Sequence, residues 1–268
     1  MSAVQRVTRR VFLRQFGTTS FAIAVFGLSA CSTADRDPNS TSSSSANSPG
    51  TGTTTSTSQP TTTSAGPEPE ELPLLEYRRV NLGNVSAYIL IRSGEAAIVD
   101  TGLAGSEADI EAGLRAAGLN WTDVDHVILT HRHSNHIGSA DAVMAAADAA
   151  VAYAGEADIA QIPAPRPIVP VGDGDEVFGL QIIDTPGHTP GHICVLDTEA
   201  GVLVAGDALN GAGGGVIGPN PSFTPNMELA NESVKKLAGF SFETVLFGHG
   251  DPVEGGADSL VSALAEGL

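Results

Sequence analysis

From Val80 onward the chain alternates short apolar runs with turn-forming residues. Residues 80–102 (VNLGNVSAYILIRSGEAAIVDTG) predict two or three strands with a turn at Ser93 and Gly94, the last strand ending at Asp100. Residues 126–130 (HVILT) form a β-branched, apolar run of the buried-strand type. Similar short runs recur at 149–153, 180–183, 193–196, 202–205 and 245–247. Between them the period changes. In SEADIEAGLRAAG, Ser106 precedes Asp109 by three positions, Ile110 and Leu114 lie one turn apart, and Gly118 stops the pattern, which predicts a capped amphipathic helix. Further helical patterns span 139–147, 227–238 and 257–265. Strands with interleaved helices predict a layered α/β domain without internal repeats.

The first 66 residues follow no such pattern. TRRVFLRQ (residues 8–15) precedes an uncharged apolar segment, 16–30, which closes on Leu28, Ser29, Ala30 and Cys31. Paired arginines followed by Phe12 and Leu13 resemble a twin-arginine export signal, and LSAC resembles a lipoprotein cleavage box. The apolar run is shorter than the ~20 residues that a membrane span needs. The expectation is an exported protein that loses residues 1–30 and is held to the membrane outside the cytoplasm through acylated Cys31. Residues 31–66 are almost entirely Ser, Thr, Pro, Gly, Asn and Ala, too poor in apolar side chains to build a core, and are expected to be a disordered tether. Residues 67–268 are long enough for one well-buried domain.

Charge narrows the partners. From Pro67 on there are 8 basic and 29 acidic residues, a net charge of −21. That excludes nucleic acid as a partner, which demands clustered Lys and Arg, and disfavours a highly anionic substrate. A small-molecule substrate is expected instead. Apart from Cys31 the only cysteine is Cys194, inside the apolar run HICVL, so no disulfide framework exists and a buried strand thiol is expected.

Chemistry concentrates at strand ends. THRHSNHIG (130–138) puts His131, His133 and His136 within six residues directly after a predicted strand, the spacing of a metal site built on a turn. TPGHTPGH (185–192) follows another strand, and its prolines and glycines force a tight turn that presents His188 rigidly. His192, entering the next strand, reads as a supporting hydrogen bonder. VLVAGDAL places Asp207 beyond a third strand, where a carboxylate neutralises metal charge and bridges two ions. VLFGHGDP ends a fourth strand at His249, between Gly248 and Gly250.

Together these motifs resemble metallo-β-lactamase-fold hydrolases, in the style of the glyoxalase II and lactonase-like branch, over about residues 77–255. The resemblance implies an αββα four-layer sandwich with one or two metal ions, usually zinc, at one edge. It implies His131, His133 and His188 as the first site, Asp207 between the metals, His136 and His249 in the second site, and Asp100 as support for the metal loop. It also implies hydrolysis of esters, thioesters, lactones or β-lactams by metal-activated water. β-Lactams are demoted, because the common zinc β-lactamases use a cysteine where this chain has Asp207. A glutathione thioester is disfavoured by the lack of Lys and Arg after His249.

One position departs from the family pattern. The residue before the last histidine of the loop is Asn135 rather than aspartate, and an amide is a weaker ligand and no general base. The expectation is one firmly bound metal and a weak or absent second. Two other readings remain open: a single-iron persulfide oxygenase using His131, His188 and Asp207, and a catalytically impaired metal-binding surface protein. Arg132, between two ligands, is expected to be a surface arginine. The glycine-rich residues 209–225, with Phe223, are expected to form a mobile substrate loop. Residues 139–150 either cover the site or pack as core.

Overall fold

The computed structural model describes residues 74–268 and a two-residue strand, Gln5–Arg6. The expected twin-arginine motif, the expected acylation site Cys31 and the expected tether therefore lie outside the described residues. Among the described residues no helix is long and apolar enough to cross a membrane.

Two sheets carry the architecture. The first has seven strands in sequence order: β1 (Gln5–Arg6), β2 (Glu76–Asn81), β3 (Ser86–Arg92), β4 (Glu95–Val99), β5 (Val124–Leu129), β6 (Val151–Gly155) and β7 (Val169–Val171). Strands β2–β4 are joined antiparallel by tight turns, and Ser93 (φ 54°) and Gly94 (φ 89°) both take the left-handed conformation that a two-residue hairpin turn needs. From β4 to β7 the pairing is parallel, so helices must cross over between the strands. The second sheet comprises β8 (Glu176–Val177), β9 (Leu180–Asp184), β10 (Ile193–Asp197), β11 (Val202–Val204), β14 (Thr244–Leu246) and β15 (Val253–Glu254), in the order β15-β14-β11-β10-β9-β8. A separate hairpin, β12 (Asn210–Ala212) with β13 (Gly215–Ile217), interrupts the chain after β11.

Three apolar layers bind these sheets and helices together. The first joins Ile89, Ile98, Val127 and Leu129 of one sheet face to Ile110 and Leu114 of α1 (Glu107–Ala116) and to Val143 and Met144 of α3 (Ala140–Ala146). The middle layer fills the space between the sheets with Tyr77, Tyr88, Leu90, Ile128, Ile182, Val195 and Leu246. The third joins Ile183, Cys194, Leu203 and Val245 to Val234 and Leu237 of α5 (Met227–Leu237) and to Val261 of α6 (Ala257–Glu266). Helix, sheet, sheet, helix is the expected αββα sandwich. Strand alternation explains it: Ile89 and Leu90 are neighbours in β3 yet face different layers. Cys194 is buried in the third layer, as expected, and its thiol is pushed up to about 12 by burial.

Some local expectations are corrected. The helix α1 forms over nearly the expected residues, but the Ser106 side chain makes no cap. Ser106 is already helical (φ −80°, ψ −7°), and its N–H instead donates to Ser139 Oγ at 2.8 Å, so a loop distant in sequence supplies the cap. Residues 139–150 pack as core: Ala140, Val143, Met144, Ala147 and Ala150 are all buried in the first layer. The 209–225 segment is not one irregular loop, because its first half is the β12–β13 hairpin and Pro221–Phe223 form a 3₁₀ turn.

Candidate metal centre

Every candidate ligand sits just past the C-terminal end of a strand, and the ends of both sheets meet at one edge. Asp100 follows β4, His131 and His133 follow β5, His188 follows β9, Asp207 follows β11 and His249 follows β14. Asn135 and His136 lie in a short helix, α2 (Ser134–Ile137), which turns the chain back immediately after His133. Hydrogen bonds between the two halves pin the edge: Ile193 N–H donates to the Thr130 carbonyl (2.9 Å), Ser86 N–H to the Gly248 carbonyl (2.9 Å), and Tyr88 OH to the Phe247 carbonyl (2.8 Å).

Two donor sets result. His131, His133, His188 and Asp207 each aim one atom at a common point, and His136, Asp207 and His249 form a second set beside it. In the first, His131 Nε2 is 3.1 Å and His188 Nε2 2.9 Å from His133 Nδ1, while Asp207 Oδ2 is 3.3 Å from His188 Nε2 and 3.9 Å from His131 Nε2. Four donors around a zinc-like ion at about 2.0–2.1 Å stand about 3.3–3.4 Å apart when tetrahedral, so this set fits such an ion. In the second set Asp207 Oδ1 is 3.2 Å from His136 Nε2, and Asp207 Oδ2 is 3.4 Å from His249 Nε2. His136 Nε2 and Asp207 Oδ1 are fully buried yet have no hydrogen-bond partner. Buried polar atoms are almost always paired, and a cation between these two would satisfy both.

In His188, His131, His136 and His249 the Nδ1 atom is tied by a hydrogen bond. His188 Nδ1–H donates to Thr224 Oγ1 (3.0 Å), whose own hydroxyl donates to the Asn220 carbonyl (2.7 Å). His131 Nδ1–H donates to Thr130 Oγ1 (3.0 Å), which donates to Asp100 Oδ2 (2.8 Å). His136 Nδ1–H donates directly to Asp100 Oδ2 (2.8 Å), and His249 Nδ1–H donates to the Asn84 carbonyl. Each of these bonds turns Nε2 toward the centre, the arrangement that orients imidazole ligands; His131 is neutral there, whereas His136 holds a proton that a metal would displace. His192 stands outside both sets: its Nε2 accepts the Asp207 N–H (3.0 Å) and its Nδ1–H donates to Thr185 Oγ1 (2.7 Å), so it holds the carboxylate's backbone.

Electrostatics separate the sets. Burial, helped by His136, drives His131 well below the ordinary histidine range, and burial pushes His192 down to about 3; both are neutral at pH 7. His136 goes the other way. Burial opposes its charge, but Asp100 and Asp207 outweigh burial and raise it to about 10. His249 is raised chiefly by its hydrogen bond to Asp207. Burial favours the neutral form of Asp207, yet His136 and the surrounding hydrogen bonds hold it well below the carboxylate range.

Residues 80–249 match the model of the metallo-beta-lactamase superfamily. The chain belongs to that superfamily. It is 30% identical over 196 residues to the uncharacterized protein YobT of Bacillus subtilis (strain 168), covering 62% of this chain and 83% of YobT. It is 35% identical over 150 residues to a hydroxyacylglutathione hydrolase of Ectopseudomonas mendocina (strain ymp), covering 54% of this chain and 52% of the relative, so it spans about half that enzyme's length. In fold it is similar to a metallo-beta-lactamase family protein of Thermus thermophilus, with a TM-score of 0.57 and 25% identity over 68% of this chain and 74% of that one.

Thus the six candidate ligands singled out in the sequence, His131, His133, His136, His188, Asp207 and His249, converge on these two donor sets, while Asp100 and His192 stand behind them. Asn135 reaches the second set too, its Nδ2 lying 3.1 Å from His249 Nε2. Arg132 corrects the expectation of a surface arginine: its Nη1 is 3.2 Å from Oδ1 of Asp158, a fully buried carboxylate. Sequence reasoning missed Asp158, and it missed Thr130, Thr185 and Thr224 as partners of histidines. The threonines had a legible signal, since Thr130 and Thr185 open the two histidine motifs.

Proposed function

We propose that this chain is a metal-dependent hydrolase of ester, thioester or lactone-type bonds. The observation that carries the reading is Asp207, shared by two convergent donor sets in which buried His136 Nε2 and Asp207 Oδ1 lack any other partner. His131, His133, His188 and Asp207 would hold the first ion, and His136, His249 and Asp207 a second. A divalent ion there supplies Lewis-acid polarisation of a carbonyl and lowers the pKa of water to about 7. The chain's own residues do the rest. Asp207 would orient the attacking water as a charged carboxylate, His192 fixes its backbone, and Thr224 and Asp100 turn the imidazole Nε2 atoms inward. Similarity to a hydroxyacylglutathione hydrolase supports thioester hydrolysis as the class, whereas the acidic domain argues for a substrate less anionic than a glutathione conjugate.

Zinc is the ion proposed, firmly bound in the first set and weakly or not at all in the second, where Asn135 supplies a neutral amide. Residues 1–31 are proposed to direct export and acylation at Cys31, which metabolic labelling with a fatty acid and its loss in Cys31→Ala would test. The activity test is a panel of esters, thioesters and lactones assayed with and without chelator. Turnover that disappears on chelation, returns with zinc and is lost in His188→Ala is the expected result. A folded, metal-loaded protein inert to the whole panel would favour the impaired binding-protein reading, and one iron per chain with oxygen uptake on a persulfide would favour the oxygenase.

A further inference from the structure

Asp158 lies in the first turn of α4 (Glu156–Ile159), which follows β6, and it supplies no atom to either donor set. Its side chain is fully buried, an expensive place for a carboxylate unless every lone pair is used. Four donors use them. Oδ2 accepts the Arg132 N–H (3.1 Å) and the Thr189 hydroxyl (2.5 Å), and Oδ1 accepts the Gly191 N–H (3.0 Å) and Arg132 Nη1 (3.2 Å). Arg132 is the residue between His131 and His133, and Thr189 directly follows His188. One carboxylate thus ties the loop that delivers two donors of the first set to the loop that delivers the third.

The surrounding backbone is built for this contact. A Cβ on Gly191 would come within 2.6 Å of Asp158 N, and one on Gly155 within 2.1 Å of the Gly191 carbonyl oxygen, so the two segments approach as only glycine permits. The same arrangement gives Arg132 its role. Its guanidinium is engaged by Asp158 and is only about a quarter exposed, so the arginine of the histidine loop serves the scaffold.

We propose that Asp158 is a positioning residue that sets the spacing of His131, His133 and His188, acting through Arg132, Thr189 and Gly191, so that it controls the affinity and geometry of the first metal. This rests on the metal-dependent reading above. The test uses the full chain, stripped with chelator and titrated with zinc by calorimetry and with cobalt by visible absorption, in wild type and Asp158→Asn. An amide keeps the shape but replaces one acceptor with a donor facing donors. The expected result is a metal-free variant with the wild-type circular dichroism spectrum, a tighter zinc equivalent weakened about 10–100-fold, and an altered cobalt d–d band. Thr189→Val, which removes one of the four donors, is measured in parallel and decides the matter by the same criteria if Asp158→Asn does not fold. Unchanged affinity and an unchanged cobalt band in the folded variant would overturn the inference alone. Absence of tight zinc or cobalt binding by the wild-type chain would overturn the metal-dependent reading and this inference with it.

Discussion

Thr130 and Asp100 are joined twice: the Thr130 N–H donates to Asp100 Oδ1 and the Thr130 hydroxyl donates to Asp100 Oδ2, each at 2.8 Å. The same carboxylate accepts His136 Nδ1–H, and through Thr130 it orients His131, so one side chain aligns a histidine of each donor set. Asp100 has a positive φ of 61°, which Asn also tolerates, so Asp100→Asn keeps the backbone while replacing an acceptor with a donor. The expected outcome is a folded protein whose zinc affinity falls about 10–100-fold. Calorimetric titration beside a thermal melt of the metal-free form checks it, and undiminished affinity would remove the orienting role.

Asn135 sits in the second set beside His249. Asn135→Asp adds an anionic oxygen without changing side-chain length, and the expected change is a rise from near one to near two zinc ions per chain. Elemental mass spectrometry of both proteins, purified without added metal, is the measurement. Two equally tight zinc ions in the wild type would show that the amide does not weaken the second set.

Gly248 offers a steric test of the same set. A Cβ there would lie 2.3 Å from Asp207 Oδ1 and 2.5 Å from His136 Cε1, both of them buried site atoms. Gly248→Ala is expected to cost about 1–3 kcal/mol of stability, the usual cost of overpacking, and to abolish binding of a second metal even in the Asn135→Asp background. Denaturant unfolding and metal titration on the double variant distinguish this from a harmless substitution.

Protonation makes the metal-free protein sensitive to pH on two sides. His192 is lowered to about 3 from 6.5, first by burial and then by neighbouring His188, so its contribution to stability is present above about pH 6.5 and is lost as pH falls toward 3. His136 is raised to about 10 by Asp100 and Asp207 against its burial, so its contribution is complete below about pH 6.5 and is lost as pH rises through about 10. Melting temperature of the chelated protein should therefore peak near neutral pH and fall on both sides. Since a metal on His136 Nε2 must displace a proton, affinity of the second set should increase with pH up to about 10. A flat profile from pH 5 to 10 would contradict both assignments.

How much of this was legible depended on whether the signal was local. His131, His133, His188, Asp207 and His249 each follow an apolar strand run and lie among Thr, Gly or Pro, so strand end, turn and donor appear within a few residues. Asp158 appears in EADI, which reads as the acidic first turn of any helix. Its meaning arises from partners 26 to 33 positions away, Arg132, Thr189 and Gly191, which no local pattern reports. Ser106 misled for the same reason, because its N–H found Ser139 across the fold instead of a side chain nearby. The β12–β13 hairpin was hidden by its glycines, which depress strand propensity while Gly213 and Gly214 supply the turn at φ 60° and 80°.

The delivery of donors from the ends of both sheets has a consequence for how the two halves hold together. Neither half of the sandwich holds a complete first set, since His131 and His133 come from one sheet and His188 and Asp207 from the other. An ion bound there would be a cross-link between halves, closing a long stretch of chain at the entropic cost that such closure carries. It would favour the docked state by mass action and leave separated halves unaffected. Metal uptake would then report that the two sheets are closed on one another.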